Sequence, residues 1–378
     1  MLDPENQVAI SHEIGACLAQ DSPLLQQLRQ EVQPLKHVRH KIQERTTTAV
    51  SLVATDGGNN QIEFDPFLVQ LIRVVDSSNN EYFLQAVTPN TDRRWLSNRQ
   101  FDESGKPSTC LGKMMQLLGV TDLWSLSAQI APPGNRGPTS PSWVLTYREL
   151  VEWAVLLSLV SEHEFGTDVL VVFDGLLRSK VFAHDLFAKY RGLLDSAVAR
   201  QRERHRKVYV VGLAKHSKVL QRYQLALHVE EVFATDYPCY VQVPQAMEEA
   251  SYTWKEYARR DVAEGSEANK FVAGSMFLVK FGSRPMDPVW PVDLLMSQTD
   301  DAPVVLGYLT SDARAGFPVP FYPRCLQKAH ENAEIVDFDL AIMQDEVVKG
   351  IRAILGSDAA ALDSFALRNS DPAKARYQ

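Results

Sequence analysis

The stretch "LVATDGGNNQ" (residues 52–61) carries an apolar run into Asp56, then two glycines and a cluster of amides. The chain repeats the device at "DVLVVFDGLLRSK" (residues 168–180), where Asp174 closes a run of Val, Leu and Phe. A single Asp-Gly pair ordinarily marks a turn. Two of them, each ending a strand-like run, suggest two carboxylates delivered to one place.

Working outward from Asp56, "AVSLVATDGG", "PFLVQLIRVVD" and "EYFLQAVTP" are short, rich in Val, Leu and Phe, and bounded by Gly, Asn, Pro and Ser. They read as three consecutive strands of an antiparallel meander. Outward from Asp174, "TYRELVEWAVLLSLVSEHEFG" reads as a helix, with Thr146 as N-cap and Glu149 as its capping-box partner. The runs "DVLVVFDG" and "VYVVGLAKHS" read as buried strands, each followed by an amphipathic helix. "FVAGSMFLVKFG" is a further strand, and "PFYPRCLQKAHENAEIVDFDLAIMQDEVVKGIRAIL" is helical. "KMMQLLGV" and "TDLWSLSAQI" read as short helices, and the proline-rich stretch at 131–142 as a loop. Residues 5–46 read as helical, interrupted by Pro34.

Three antiparallel strands followed by alternating strands and helices is the order of an RNase H-like core. The expected fold is therefore α/β, a mixed central sheet flanked by helices, with an N-terminal helical extension. The expected divisions are a helical segment over 1–46, an RNase H-like domain over 47–350 with an insertion around 90–142, and a tail over 351–378.

Of the 378 residues 45% are hydrophobic and 23% charged, an ordinary globular composition. No apolar run reaches the ~18 residues of a membrane span. The N-terminus lacks the basic start and apolar core of a signal peptide. Four scattered cysteines, without a C-x-x-C, suggest neither a zinc site nor a disulfide framework and fit a reducing cytoplasm. A net charge of −8 argues against a protein that coats nucleic acid through its overall charge. It fits carboxylates clustered where a cation is needed.

In open α/β sheets, sites gather at strand ends. Asp56 and Asp174 placed there would repel unless a cation neutralised them. A hard divalent metal does so through oxygen ligands, and a metal pair can clamp both reacting oxygens of a phosphodiester. Glu152, set between Val151 and Trp153 in an apolar stretch, is the expected third carboxylate. The plainer alternatives are an edge-of-core Glu152 paired with an arginine, or Glu149 in its place. Lys215, directly after a strand, is placed to hold a phosphate or stabilise developing charge. Lys218 and His216 are weaker candidates. His330, on the late helix, can complete a metal site or orient water. The run Arg200, Arg202, Arg204, Arg206 and Lys207 is read as adjoining the site and tracking a nucleic-acid backbone.

Together "ATDGG", the helix with Glu152, "LVVFDGLLRS", "VGLAKHSKVL" and "GFPVPFYPRCLQKAHENAEI" resemble the NurA nuclease family over about residues 48–345. The resemblance implies an RNase H-like DNA nuclease dependent on manganese, with magnesium as the other admissible ion. It implies a homodimer working with a hexameric HerA-like ATPase in DNA end resection or phage defence. It places metal-binding carboxylates at Asp56, Glu152 and Asp174 and a site histidine at His330. Where the family often has Asp-Gly-Ser, this chain has Leu176, which removes any hydroxyl there. Residues 90–142 are assigned no role.

Two other readings remain open. "ATDGGNNQ" also looks like the first phosphate loop of actin-like ATP-dependent phosphotransferases, although the other glycine-rich loops of that class are missing. "ESGKPST" (103–109) imitates a P-loop but lacks its upstream glycine. The chain could also be an inactive nuclease-fold scaffold that docks on a motor.

Overall fold

The computed structural model describes residues 4–46, 50–64, 67–134, 142–258, 269–360 and 362. Its strands are β1 (His40–Lys41), β2 (Val50–Phe64), β3 (Phe67–Asp76), β4 (Glu81–Val87), β5 (Asp168–Asp174), β6 (Val208–Leu213), β7 (Cys239–Gln242), β8 (Gly274–Lys280) and β9 (Val289–Leu295). Its helices are α1 (Pro4–Val32), α2 (Arg93–Asn98), α3 (Cys110–Leu118), α4 (Leu123–Leu126), α5 (Ser142–Glu162), α6 (Leu186–Glu203), α7 (Lys218–Val229), α8 (Gln245–Ser251), α9 (Ala302–Arg314), α10 (Arg324–Ala333) and α11 (Asp337–Leu355).

Among the described residues nine strands form one mixed sheet in the order β1-β7-β8-β9-β6-β5-β2-β3-β4. The expected meander is present, with β3 antiparallel to both β2 and β4. β5 and β6 run parallel to β2. Among the described residues no helix is long and apolar enough to cross a membrane.

Strand alternation divides the core into two layers. On β5, Val169, Val171 and Phe173 face α5 and α6, where Trp153 packs 4.6 Å from Phe173 and 5.2 Å from Phe187. Leu170 and Val172 face the other side, toward Leu306 and Leu309 of α9 and Leu326 of α10. Both faces are covered, which is why these strands read as unbroken apolar runs. A third cluster seats the C-terminal end of α1 through Leu28 and Val32 against Val219, Leu220 and Tyr223 of α7.

Three expectations are corrected. α5 begins at Ser142, so Thr146 lies inside the helix and its hydroxyl bonds Gln129 at 2.9 Å instead of capping. The second half of the sheet is larger than read, because β7, β9, α8 and α9 went unrecognised, as did β1, which lies within the segment read as helical and pairs with β7. Most consequentially, β2 does not end at Asp56. It continues to Phe64, with Asp56, Gly57 and Gly58 paired to Val75, Val74 and Arg73. What stops there is the parallel partner: β2 and β5 pair only as far as Thr55 and Phe173. With the glycines inside a ladder, the phosphate-loop reading of "ATDGGNNQ" fails.

The glycines are needed for close approach, not for a turn. A Cβ on Gly57 would lie 2.0 Å from Glu152 Oε1 on the α5 side. One on Gly58 would lie 2.3 Å from the Ala333 carbonyl oxygen at the end of α10. By contrast, Gly175, with φ +136°, does permit a sharp exit of the chain after Asp174.

Gly58→Ala is therefore expected to destabilise the protein by about 1–3 kcal/mol, because the obstructing atom is backbone. Gly57→Ala is expected to cost less, since it meets the movable end of Glu152. Urea unfolding of the two variants beside the wild type checks this ranking; a Gly58→Ala protein as stable as wild type would contradict it.

Candidate active site

Asp174 stands at the last position of β5, and Asp56 lies just beyond the end of the β2–β5 pairing. The two carboxylates meet where the sheet's parallel pairing opens. α10, packed on β2 and β3, lays His330 over them. One ligand atom from each of Asp56, Asp174 and His330 falls within 4.8 Å of the others. His330 Nδ1 is 2.7 Å from Asp56 Oδ2, and the backbone N–H of Gly57 donates to Asp56 Oδ1 at 2.7 Å. The Asp56 side chain is 11% exposed and that of His330 62%.

Tyr322, two residues before α10, is buried and donates its hydroxyl to Asp174 Oδ1 at 3.1 Å. Its ring carries the ammonium of Lys215 5.7 Å from its centroid and meets Trp290 edge-on at 5.0 Å. Lys215 follows β6 at the same sheet end, because Asp174 pairs with Leu213. Burial and the nearby Asp56 push the Asp174 carboxyl upward, against Lys215, Tyr322 and His330.

Glu152 approaches from the other face of β2. Side chains alternate across a strand, so Gly57 faces α5 while Gly58 faces α10. Glu152 is only 14% exposed, sits behind Gly57 and pairs with Arg148 at 3.2 Å, the arginine pairing that the sequence allowed. It is outside the set formed by Asp56, Asp174 and His330. Burial raises its carboxyl to about 8; Arg148 opposes the shift, and Asp56, Glu149 and Asp174 add to it. Glu149 is occupied differently: Ser179 Oγ donates to it at 2.6 Å and the Trp153 indole at 3.4 Å.

Glu149, Glu152 and Asp174 line a cavity of about 530 Å³ with Arg148, Arg178 and Lys180. Arg178, fully buried, grips Asp293 through two hydrogen bonds of 2.8 and 2.9 Å and also bonds Glu248. That cluster ties the loop after β5 to β9 and α8.

The expected adjacency of the arginine run is not met. In a strand–helix–strand crossover the helix returns to the far end of the sheet. Arg200, Arg202, Arg204, Arg206 and Lys207 accordingly lie before Val208, at the opposite end of β6 from Lys215, roughly 20 Å away along the strand. Arg206 is tied to the Phe165 carbonyl at 3.1 Å. Lys218, in contrast, begins α7 on the Asp174 side, after the N-cap Ser217. Tyr322 escaped the sequence reading; a tyrosine within "PFYPRCL" signals a helix start and gives no local sign of its carboxylate partner.

Two carboxylates and an imidazole suit a divalent first-row ion, which accepts both oxygen and nitrogen ligands. The raised Asp174 carboxyl, buried beside a second aspartate, is the other sign of fit: a cation would relieve the repulsion.

No protein-family model matches the sequence, and no curated protein matches it. Among solved structures the chain is similar to the NurA nuclease from Sulfolobus solfataricus, at 13% identity and a TM-score of 0.43, over 93% of this chain and 98% of that one. It is similar to a structure of NurA bound to dAMP and manganese at 7% identity and a TM-score of 0.40, over 87% of this chain and 94% of that one. A structure of NurA with manganese shares 10% identity at a TM-score of 0.36, over 92% and 97% of the two chains.

The raised Glu152 carboxyl has a thermodynamic consequence. Between the ordinary carboxylate range and about pH 8 the folded protein keeps a proton that the unfolded chain has released, so Glu152 makes stability fall as pH rises. Without divalent ions, Glu152→Gln should therefore gain stability relative to wild type on going from pH 6 to pH 9, by at least about 1 kcal/mol. Urea unfolding at the two pH values measures it; equal differences at both would contradict the shift.

Proposed function

We propose that this chain is a metal-dependent nuclease that hydrolyses the phosphodiester bonds of DNA at Asp56, Asp174 and His330. The observation that carries the reading is the convergence of their three ligand atoms within 4.8 Å, at the opening between two parallel strands. Asp56, Asp174 and His330 would hold the ion, with Glu152 as the further carboxylate across Gly57. A bound manganese or magnesium ion supplies Lewis-acid activation of the phosphate and of the attacking water.

The remaining work belongs to the chain itself. The Gly57 N–H and His330 fix the two oxygens of Asp56. Tyr322 fixes Asp174 by its 3.1 Å hydrogen bond. Lys215, held over the Tyr322 ring, faces the same carboxylate end and is a cation available to a phosphate oxygen. Glu152 lies buried behind the site across Gly57, and burial raises its carboxyl to about 8 while no ion is bound.

The choice of DNA, and of a HerA-like hexameric ATPase as partner, rests on the five motifs that resemble NurA. A homodimer is favoured by α1. Its Ile10, Ile14 and Leu18 recur every four residues and are 44%, 54% and 64% exposed, an apolar stripe that pairing would cover. We assign the pair to the cytoplasm, in end resection or phage defence. At a net charge of −8, a motor that feeds DNA to the site would offset weak unaided binding.

Asp56→Asn and Asp174→Asn are each expected to lower manganese-dependent cleavage of labelled DNA by about a thousandfold or more, the scale of several kcal/mol of lost charge stabilisation. Their melting temperatures should stay within a few degrees of wild type without metal. Full activity in EDTA, or in either variant, would end this reading.

Sedimentation at micromolar protein is expected to find a dimer, and Ile14→Glu with Leu18→Glu to give a folded monomer. A monomeric wild type would contradict the role given to α1.

A further inference from the structure

Beside the carboxylates, on the other side of Trp290, a second cleft of about 570 Å³ opens between α7 and the connection from β8 to β9. We propose that it holds an unpaired nucleobase of the strand whose phosphate lies at Asp56 and Asp174; this rests on the reading of that site as a phosphodiester hydrolase.

Continuity is the first argument. Lys215 and Trp290 line the cleft, and both also touch Tyr322, whose hydroxyl bonds Asp174. The cleft therefore begins one side chain from the phosphate position, the reach of a base from its own backbone. Its lining is the second argument. Trp290, Phe233, Met286 and Val289 offer aromatic and apolar surface, and Met286 is 77% exposed among the described residues. Flat π surfaces and a flexible thioether suit stacking on any base. Charge is the third. Glu231 and Asp287 stand in the lining together with Lys215, His216 and His228. A phosphate backbone would be repelled by the two carboxylates, whereas a neutral base would not. The backbone is left to Lys215 at the junction, and the base turns inward.

A base that enters this cleft has left its pairing partner. The site therefore takes single strands, or duplex ends that have been opened.

The test compares binding of two fluorescein-labelled pentamers, dT5 and a fully abasic strand with the same number of phosphates, by anisotropy in EDTA so that nothing is cut. Base stacking of about 1–3 kcal/mol makes dT5 the tighter ligand by about tenfold. That ratio should shrink to within about threefold in Trp290→Leu, and should fall partway in Met286→Ser, whose exposed position leaves the fold intact. Equal affinities in wild type, no binding of either strand, or an unchanged ratio in both variants would overturn the proposal. A protein that discriminates the pentamers yet cuts nothing with manganese would keep the cleft and remove the hydrolase. One that cuts but does not discriminate would do the reverse.

Discussion

The structure depends on one crowded crossing, where β2 passes between Glu152 and the end of α10 with only hydrogen atoms to spare at Gly57 and Gly58. Because neither residue has a side chain, α5 can press from one face and α10 from the other. The second contact sets the height of His330 over Asp56. The same helix end is held from β3, where Arg73 donates to the Asn332 carbonyl and Asn332 donates to that of Asp76. The position of the histidine is thus fixed by sheet and backbone, although its own side chain is largely exposed.

Around that crossing, four acidic side chains are gathered in a largely buried place. Asp56, Asp174, Glu149 and Glu152 are coupled closely, and the groups that oppose their mutual repulsion are Arg148, Lys180, Lys215 and His330. Burial makes the repulsion worse, since it removes the water that would otherwise screen it. Away from this place the molecule settles similar problems internally. Arg178 sits between Asp293 and Glu248, fully buried and with both carboxylates hydrogen-bonded to it. The contrast separates a charge cluster completed by the fold from one left for something else to complete.

Much of this was legible in the chain. The meander, the parallel strands and the carboxylates at Asp56 and Asp174 follow from apolar runs and their punctuation, which are local signals. His330 and Lys215 were legible for the same reason, each placed by its element. What was not legible depends on where a partner stops. Nothing in "ATDGGNNQ" says that β2 outruns β5, so glycines that serve close packing looked like a turn. The arginine run was misplaced because proximity in sequence to Asp174 hides the length of the returning helix, which carries those residues to the opposite sheet end. Tyr322 was invisible because its partner is 148 positions away.

The separation of the site's parts along the chain bears on synthesis. Asp56 and Asp174 emerge from the ribosome well before Tyr322, which precedes α10, and His330, which lies on it. A nascent or prematurely terminated product carries both aspartates without the hydroxyl and imidazole that hold them. The cluster is thus assembled only once the chain has been made past His330, long after both aspartates.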